Sequence, residues 1–328
     1  MIRNVIITFD YELFLGRETG TIENCVIRPT QLILDILIRN SAKAIFFVDA
    51  TWLLFLRENF PRDFQQVSDQ LKDIKKSGSS IELHLHPHWI HAYKMGNKIG
   101  FKSFHNYRLH SLSNQSVLDL FGKSIKLLES ITLQKISCFR AGGFCIEPFN
   151  QIKDAFETFG IKYDFSVVPG IFLNDGTEYD FDFTDAPNIS FYSFENNIRK
   201  QEQNGQFIEV PLSIYQNSPV FRLLNKIMLV ITRDKIFGDG TGIQDKSFYF
   251  LKSLNRRFRF SKGMLSIDKT YSLLFKYLLK MQFSNSNLLV LLSHPKLVSK
   301  QALTNLFYIS KNFNTLNTIE LNQYLSGK

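Results

Sequence analysis

Short apolar runs rich in Val, Ile, Leu and Phe alternate along the chain with longer stretches of helical periodicity, the pattern of βαβ units feeding a parallel sheet. Seven runs qualify as strands, at 4–10, 43–48, 80–85, 136–140, 162–168, 206–211 and 287–293. Most are continuously apolar rather than alternating, as strands covered on both faces are. Helical patterns fall between them at 30–39, 62–76, 116–130, 148–159 and 267–282, with another at 299–312 after the last strand. Pro29 and Ser116 suit helix starts, and Gly78 suits a helix end. Two connections are long: 89–115, and 212–286, which contains Gly238-Asp239-Gly240-Thr241-Gly242 and Arg256-Arg257-Phe258-Arg259-Phe260. Long insertions on one face of an α/β barrel shape the substrate site.

Length then decides how many such units to expect. The 328 residues fit one closed α/β barrel, so a single domain over 1–328 is the expectation. Apolar residues at 44% and charged residues at 21% exclude a disordered, collagen-like or coiled-coil chain. The 32 Phe carry no functional weight. Charge is unevenly placed: residues 199–328 hold +12 and residues 1–198 hold −3, so the net +9 belongs to the C-terminal part. That favours an acidic partner such as a phosphorylated substrate, a membrane face or nucleic acid, against the plainer reading of a solvated Lys-rich surface. The three cysteines, Cys25, Cys138 and Cys145, form no CxxC pair and suit a reducing cytoplasm. Val5-Ile6-Ile7-Thr8-Phe9 is too short for a signal-peptide core, has no small-residue cleavage site after it, and is expected as a strand. No apolar stretch reaches the roughly 18 residues of a spanning helix.

The unusual polar residues gather at strand carboxyl ends. Asp10 and Glu12 follow the first strand, His84, His86 and His88 close the third, Arg140 ends the fourth and His294 the seventh. Parallel α/β barrels build active sites on that face, so these residues are expected to form one site. Glu82-Leu83-His84-Leu85-His86-Pro87-His88-Trp89 holds three of the seven histidines, and His91 lies just beyond. Strand alternation puts His84 and His86 on one side, while a turn at Pro87 can swing His88 back toward His84. Two neutral imidazoles with one carboxylate suit a catalytic zinc or another first-row divalent metal. Core histidines that only satisfy hydrogen bonds would not cluster so densely. Of Asp10 and Glu12, one can bind metal while the other stays a base; helix capping or a salt bridge is the alternative. Arg140 can pair with a carboxylate and aim it, beside a double glycine that permits close backbone approach. His294 is a candidate proton donor.

In this order, Thr8-Phe9-Asp10-Tyr11-Glu12, His84-Leu85-His86-Pro87-His88, Phe139-Arg140-Ala141-Gly142-Gly143-Phe144 and Leu291-Leu292-Ser293-His294-Pro295 resemble the motifs of the polysaccharide deacetylase, or NodB-homology, family of metal-dependent carbohydrate esterases. The resemblance spans roughly residues 2–323. It implies an α/β fold, a distorted seven-stranded (β/α) barrel with its long insertions at the carboxyl-end face. It also implies Asp10 as catalytic base, His84 and His88 as metal ligands, Arg140 as the tether of Asp10, and His294 as acid. The family's adjacent Asp-Asp is replaced by Asp10-Tyr11, which moves the carboxylate ligand to Glu12. The third motif lacks the usual Pro, and His86 is extra. His86 and Tyr11 are therefore additional candidates, and Trp89, Gly143, Arg256, Arg257 and Arg259 are candidates for substrate binding.

The expected activity is metal-dependent hydrolysis of an N-acyl group, N-acetyl first, from an amino sugar in surface polysaccharide biosynthesis. The expected cofactor is one divalent metal, zinc first, with Co, Ni or Mn as alternatives. An N-deformylase or other amide hydrolase acting on a modified sugar is the alternative enzyme, and a catalytically inactive carbohydrate-binding barrel is the non-enzymatic one. A cytoplasmic enzyme of this kind would meet its sugar on a nucleotide or polyprenyl pyrophosphate, with peripheral membrane contact and no nucleic-acid partner; the basic Arg256–Arg259 cluster lacks a recognised nucleic-acid module.

Overall fold

The structure is a computed structural model that describes residues 2–16, 18–174, 179–241 and 260–327. Arg256, Arg257 and Arg259 lie outside the described residues. The chain forms two compact units, Met1–Ala44 with Ser213–Lys328, and Ile45–Leu212.

In the first unit, strand β1 (Asn4–Tyr11) is buried along its whole length and runs parallel to the late strand Leu288–Ser293. Their register runs from Asn4 opposite Leu288 to Phe9 opposite Ser293, so Asp10 and His294 emerge as the next pair. Helix α1 (Arg28–Arg39) opens with Pro29 in its first turn and buries Ile33, Leu34 and Leu37. The sequence pattern predicted a helix from residue 267, but Leu265–Ile267 is extended. Leu292 N–H donates to the Leu265 carbonyl at 3.1 Å, and Ile267 N–H donates to the Leu292 carbonyl at 3.0 Å. This added strand-like edge leaves Asp268 at the tip beside His294. The helix begins only at Ser272 and runs to Gln282.

Asp239, in the glycine-rich loop of the second insertion, clamps the turn before α1. It accepts from the Thr21 backbone N–H at 2.7 Å, the Thr21 hydroxyl at 2.8 Å and the Asn24 amide at 2.8 Å. Burial works against its ionisation, yet these donors hold its carboxyl down at about 2.

The second unit carries strands β2 (Ile45–Asp49), β3 (Ser80–Leu85), β6 (Cys138–Ala141), β7 (Tyr163–Asp164) and β11 (Phe207–Glu209), each parallel to the next in that order; β4 and β5 (Ala92–Met95 and Lys98–Phe101) form a hairpin. A second hairpin pairs β8 (Phe172–Asn174) with β9 (Asp180–Asp182), and β10 (Tyr192–Phe194) adds antiparallel to β11. All seven predicted strands are present across the two units.

Helices α3 (Pro61–Lys76), α4 (Asn114–Thr132) and α5 (Lys153–Phe159) appear where expected, although α5 starts late because Phe149–Gln151 forms a separate 3-10 turn. Helix α2 (Ala50–Asn59) was not legible. An apolar run from Phe46 to Leu56, interrupted only by Asp49 and Thr51, hides the change from strand to helix period, and the marker is the N-cap Asp49, which accepts from Trp52 N–H at 3.4 Å. Much of the Phe excess lies in this unit's core, where Phe139, Phe149, Phe156, Phe194 and Phe207 meet with ring centroids 4.8–5.7 Å apart. Edge-to-face contacts at such separations add to the area each ring buries.

Candidate active site

The register of β1 with Leu288–Ser293 fixes the first group of functional side chains. His294 Nε2 lies 3.7 Å from Asp10 Oδ2 and 4.0 Å from Glu12 Oε1. Its other nitrogen, Nδ1, is 3.1 Å from Asp268 Oδ2, which also accepts the His294 backbone N–H at 3.0 Å. An ionised carboxylate only accepts hydrogen bonds, so Asp268 places the proton on Nδ1 and turns Nε2 toward Asp10. The second Asp268 oxygen accepts the Ser293 hydroxyl at 2.7 Å, which fixes the carboxylate in turn. Asp10, Glu12 and Asp268 are all buried.

Glu12 is engaged differently from Asp10. Lys296 Nζ donates to Glu12 Oε1 at 2.7 Å and to the Leu13 carbonyl at 2.9 Å, and both charged side chains are buried. One Glu12 oxygen is thus committed to an ion pair within the unit, and any ligand role falls to the other. Neither Asp268 nor Lys296 was singled out from sequence. Lys296 stands two residues after His294, directly beyond the recognised motif; Asp268 had no signal beyond being an acid in an otherwise basic stretch. Tyr11 is fully buried at the end of β1, and burial raises its phenol well above the usual range.

In the second unit, β3 delivers the histidines. His84 lies opposite Arg140 in the β3–β6 register, and His84 Nδ1 is 2.7 Å from the Arg140 carbonyl oxygen. That carbonyl can only accept, so the proton is on Nδ1 and Nε2 presents its lone pair. His84 Nε2 faces His86 Nε2 at 3.0 Å, and both rings are buried. Two imidazole nitrogens that share an ion at about 2.0–2.1 Å sit about this far apart, so the pair fits a divalent metal. Asp49 secures this strand end: with Thr51, which it also binds, it receives the His86 backbone N–H, at 3.1 Å to the Thr51 hydroxyl.

His88 stands on the 3-10 turn Pro87–His91, and its ring stacks on Tyr107 at 5.5 Å and lies 5.3 Å from Phe101. The structure therefore brings His84 together with His86, the extra histidine, and seats His88 in an aromatic setting 5.6 Å from the His86 ring. Trp89 is buried against Phe55 and Phe101. The double glycine has a physical reason: a Cβ on Gly142 would meet His86 Nδ1 and the Leu85 carbonyl, and Gly143 sits at φ +57° against Tyr107 and Tyr179.

Arg140 is fully buried, with Nε donating to the Phe165 carbonyl at 3.0 Å and its guanidinium 4.3 Å above the Phe47 ring. Near it lie two buried acids that the sequence reading did not select. Asp164 accepts from Ser166 N–H at 2.7 Å, and Glu209 accepts from Val167 N–H at 3.0 Å. Burial pushes the Asp164 carboxyl up to about 6, with Arg140 pulling the other way. Burial, and then the Asp164 charge, push Glu209 well above the carboxylate range. Two acids this close in a dry interior hold one proton between them, and Glu209 keeps it.

No protein-family model matches the sequence, and no curated protein is similar to it in sequence. Likeness appears in the fold. The chain is similar to a protein from Mycobacterium smegmatis, itself assigned only provisionally as a polysaccharide deacetylase. The likeness covers 99% of this chain and 90% of that one, with a TM-score of 0.52 at 14% identity. More distant similarities are to the carbohydrate esterase domain of a multidomain xylanase from a Trinervitermes trinervoides hindgut metagenome (TM-score 0.41, 11% identity, 99% and 92% of the chains) and to a pseudoenzyme of the same esterase family from Bacillus anthracis (TM-score 0.41, 12% identity, 98% and 65%). The fold is thus of the expected class, the α/β fold of the distorted (β/α) barrels to which polysaccharide deacetylases belong.

Proposed function

We propose that the chain, working as one catalytic domain over 1–328, is a metal-dependent carbohydrate N-deacetylase that hydrolyses an N-acyl group, N-acetyl first, from an amino sugar. The observation that carries this reading is His294, held by Asp268 and aimed at Asp10. Amide hydrolysis needs a base for water and an acid for a poor amine leaving group, and these two side chains are a donor and an acceptor at one strand edge. The ligand set comes from the sequence motifs: His84, with His88 or His86, and the first-motif carboxylate Glu12. The His84–His86 nitrogen pair favours His86 as the second imidazole. A divalent metal, zinc first and Co, Ni or Mn after it, would supply polarisation of the amide carbonyl and a more acidic water.

This chain's own residues do the rest. Asp10 takes the proton of the attacking water, and His294 gives a proton to the departing nitrogen from Nε2. Asp268 keeps that ring oriented and stabilises its cationic form. Arg140 is proposed as the tether that holds Asp10 ionised and aimed. Gly143 and Trp89 flank the histidine segment as substrate-contact candidates, and Arg256, Arg257 and Arg259 are proposed to attract the anionic carrier of a nucleotide- or polyprenyl-pyrophosphate-linked sugar in the cytoplasm. The pathway would be surface polysaccharide biosynthesis.

The test is metal analysis of untagged protein followed by an amine-release screen over acylated sugars and nucleotide sugars. About one metal per chain and amine release that Asp10→Asn abolishes are expected. Metal-free protein that releases no amine from any of them would leave an inactive carbohydrate-binding fold instead.

A further inference from the structure

We infer that one helix of the second insertion, α6 (Pro219–Ile231), is an anchor for an anionic membrane surface. The helix is well begun: Ser218 caps it by accepting Phe221 N–H at 3.1 Å, with Pro219 in its first turn. Its apolar residues Val220, Leu223, Leu224, Ile227, Val230 and Ile231 recur at the spacing of one helical stripe. On a globular domain that stripe turns inward. Here it turns outward, with exposures of 66%, 59%, 46%, 43%, 68% and 67%, and no residue of the helix is buried.

This orientation is fixed rather than loose. The opposite face is tied down by Asn225, whose amide donates to the Lys269 carbonyl at 2.9 Å and accepts Tyr271 N–H at 2.8 Å. Arg222 donates to the Asn217 carbonyl at 2.7 Å, and the Phe221 ring packs 5.5 Å from Tyr215. Tyr271 leads directly into the helix Ser272–Gln282, which exposes a second apolar row, Leu273, Tyr277 and Met281, at 62%, 56% and 49%. Lys276 and Lys280 lie on the same helix.

Charge identifies the occupant. A groove of about 530 Å³ beside α6 is lined by Arg222, Lys226, Arg233 and Lys235. The one acid of that lining, Asp234, is already used by the Ser299 hydroxyl and Gln301 N–H, at 2.6 and 3.1 Å. Aliphatic side chains flanked by cations match a bilayer with anionic headgroups: the stripe enters the acyl boundary while Lys and Arg reach phosphate. A second copy of the chain would instead bring these cations against each other. Thirteen residues rise only about 20 Å, too short to span, so the helix would lie in the interface plane. The inference does not depend on the proposed activity.

The experiment is co-sedimentation of the untagged full chain with vesicles of phosphatidylcholine alone or mixed with phosphatidylglycerol. Binding is expected on the mixed vesicles, at least about tenfold tighter than on neutral ones, and weakening as salt rises from about 0.1 to about 0.5 M. Leu223→Glu/Ile227→Glu should lose at least about tenfold in partition with an unchanged melting curve, and the milder Leu223→Ser/Ile227→Ser should lose part of it. Lys226→Glu/Arg233→Glu should lose affinity for the mixed vesicles only. Three results would overturn the inference: no binding to either vesicle, binding indifferent to the Leu223 and Ile227 substitutions, or a concentration-dependent dimer that those substitutions dissolve. Binding that appears only after deletion of residues 242–259 would assign the stripe to that segment and equally overturn it.

Discussion

Asp268 grips His294 twice through one oxygen, by the backbone N–H at 3.0 Å and by ring Nδ1 at 3.1 Å. The backbone contact fixes where the residue sits and the ring contact fixes which nitrogen carries the proton. Asp268 is a positioning residue, so Asp268→Asn should keep the fold and lower kcat by roughly 10²–10⁴ with little change in KM. An amide can donate to Nδ1 and so reverse the tautomer, which should also alter the alkaline limb of the pH–rate profile, where the general acid loses its proton. Equal losses in kcat and in thermal stability, with an unaltered profile, would reduce Asp268 to a structural role.

The histidines separate by metal content. His84→Ala and His86→Ala should each reduce bound metal well below wild-type stoichiometry, because their Nε2 atoms face each other at 3.0 Å. His88→Phe should retain metal, since that ring is packed among Tyr107 and Phe101 and an aromatic of similar size can fill the space. Atomic emission analysis of dialysed proteins decides it. The reverse outcome, loss with His88→Phe and retention with His86→Ala, restores the His84–His88 pairing expected from sequence.

Lys296 and Glu12 form a buried pair at 2.7 Å. Removing only the cation in Lys296→Met leaves the carboxylate uncompensated, a change of about 3–5 kcal/mol in stability when no other cation replaces it. Added zinc should restore much of the lost melting temperature if Glu12 can turn its freed oxygen to metal. A melting temperature indifferent to zinc would argue that Glu12 serves only the ion pair.

The Asp164–Glu209 pair sets a pH dependence. Both carboxyls are raised in the folded chain, so their protonated forms are favoured there. The linked stability is present below the ordinary carboxylate range and declines as pH rises through about 6, where Asp164 titrates, with Glu209 resisting ionisation further up. Glu209→Gln keeps shape and neutrality, so its urea midpoint should depend less on pH over that alkaline side than the wild type's does. Parallel curves for the two proteins would show that the pair does not titrate with folding.

What the sequence determined by itself is the set of strands and the placing of chemistry at their ends. Continuous apolar runs such as Val5–Phe9 and Leu288–Leu292 need burial on both faces, and only a parallel sheet under helices provides it; polar residues that follow such runs are carried to the strand tips. Asp10, His84, Arg140 and His294 were therefore legible. The stretch 265–268 was not, because Leu265 and Ile267 read equally well as the start of a helix; hydrogen bonds to Leu292, 25 or more residues away, made them extended and set Asp268 beside His294. Lys296 on Glu12 joins residues 284 apart in the chain. Helix α6 shows the same division: its amphipathic period was present in the residues, but only the hydrogen bonds of Asn225 decided that the apolar side faces out. Periodicity fixes which residues share a face, whereas the direction that face points depends on partners distant in sequence, and those exist only once the chain has folded.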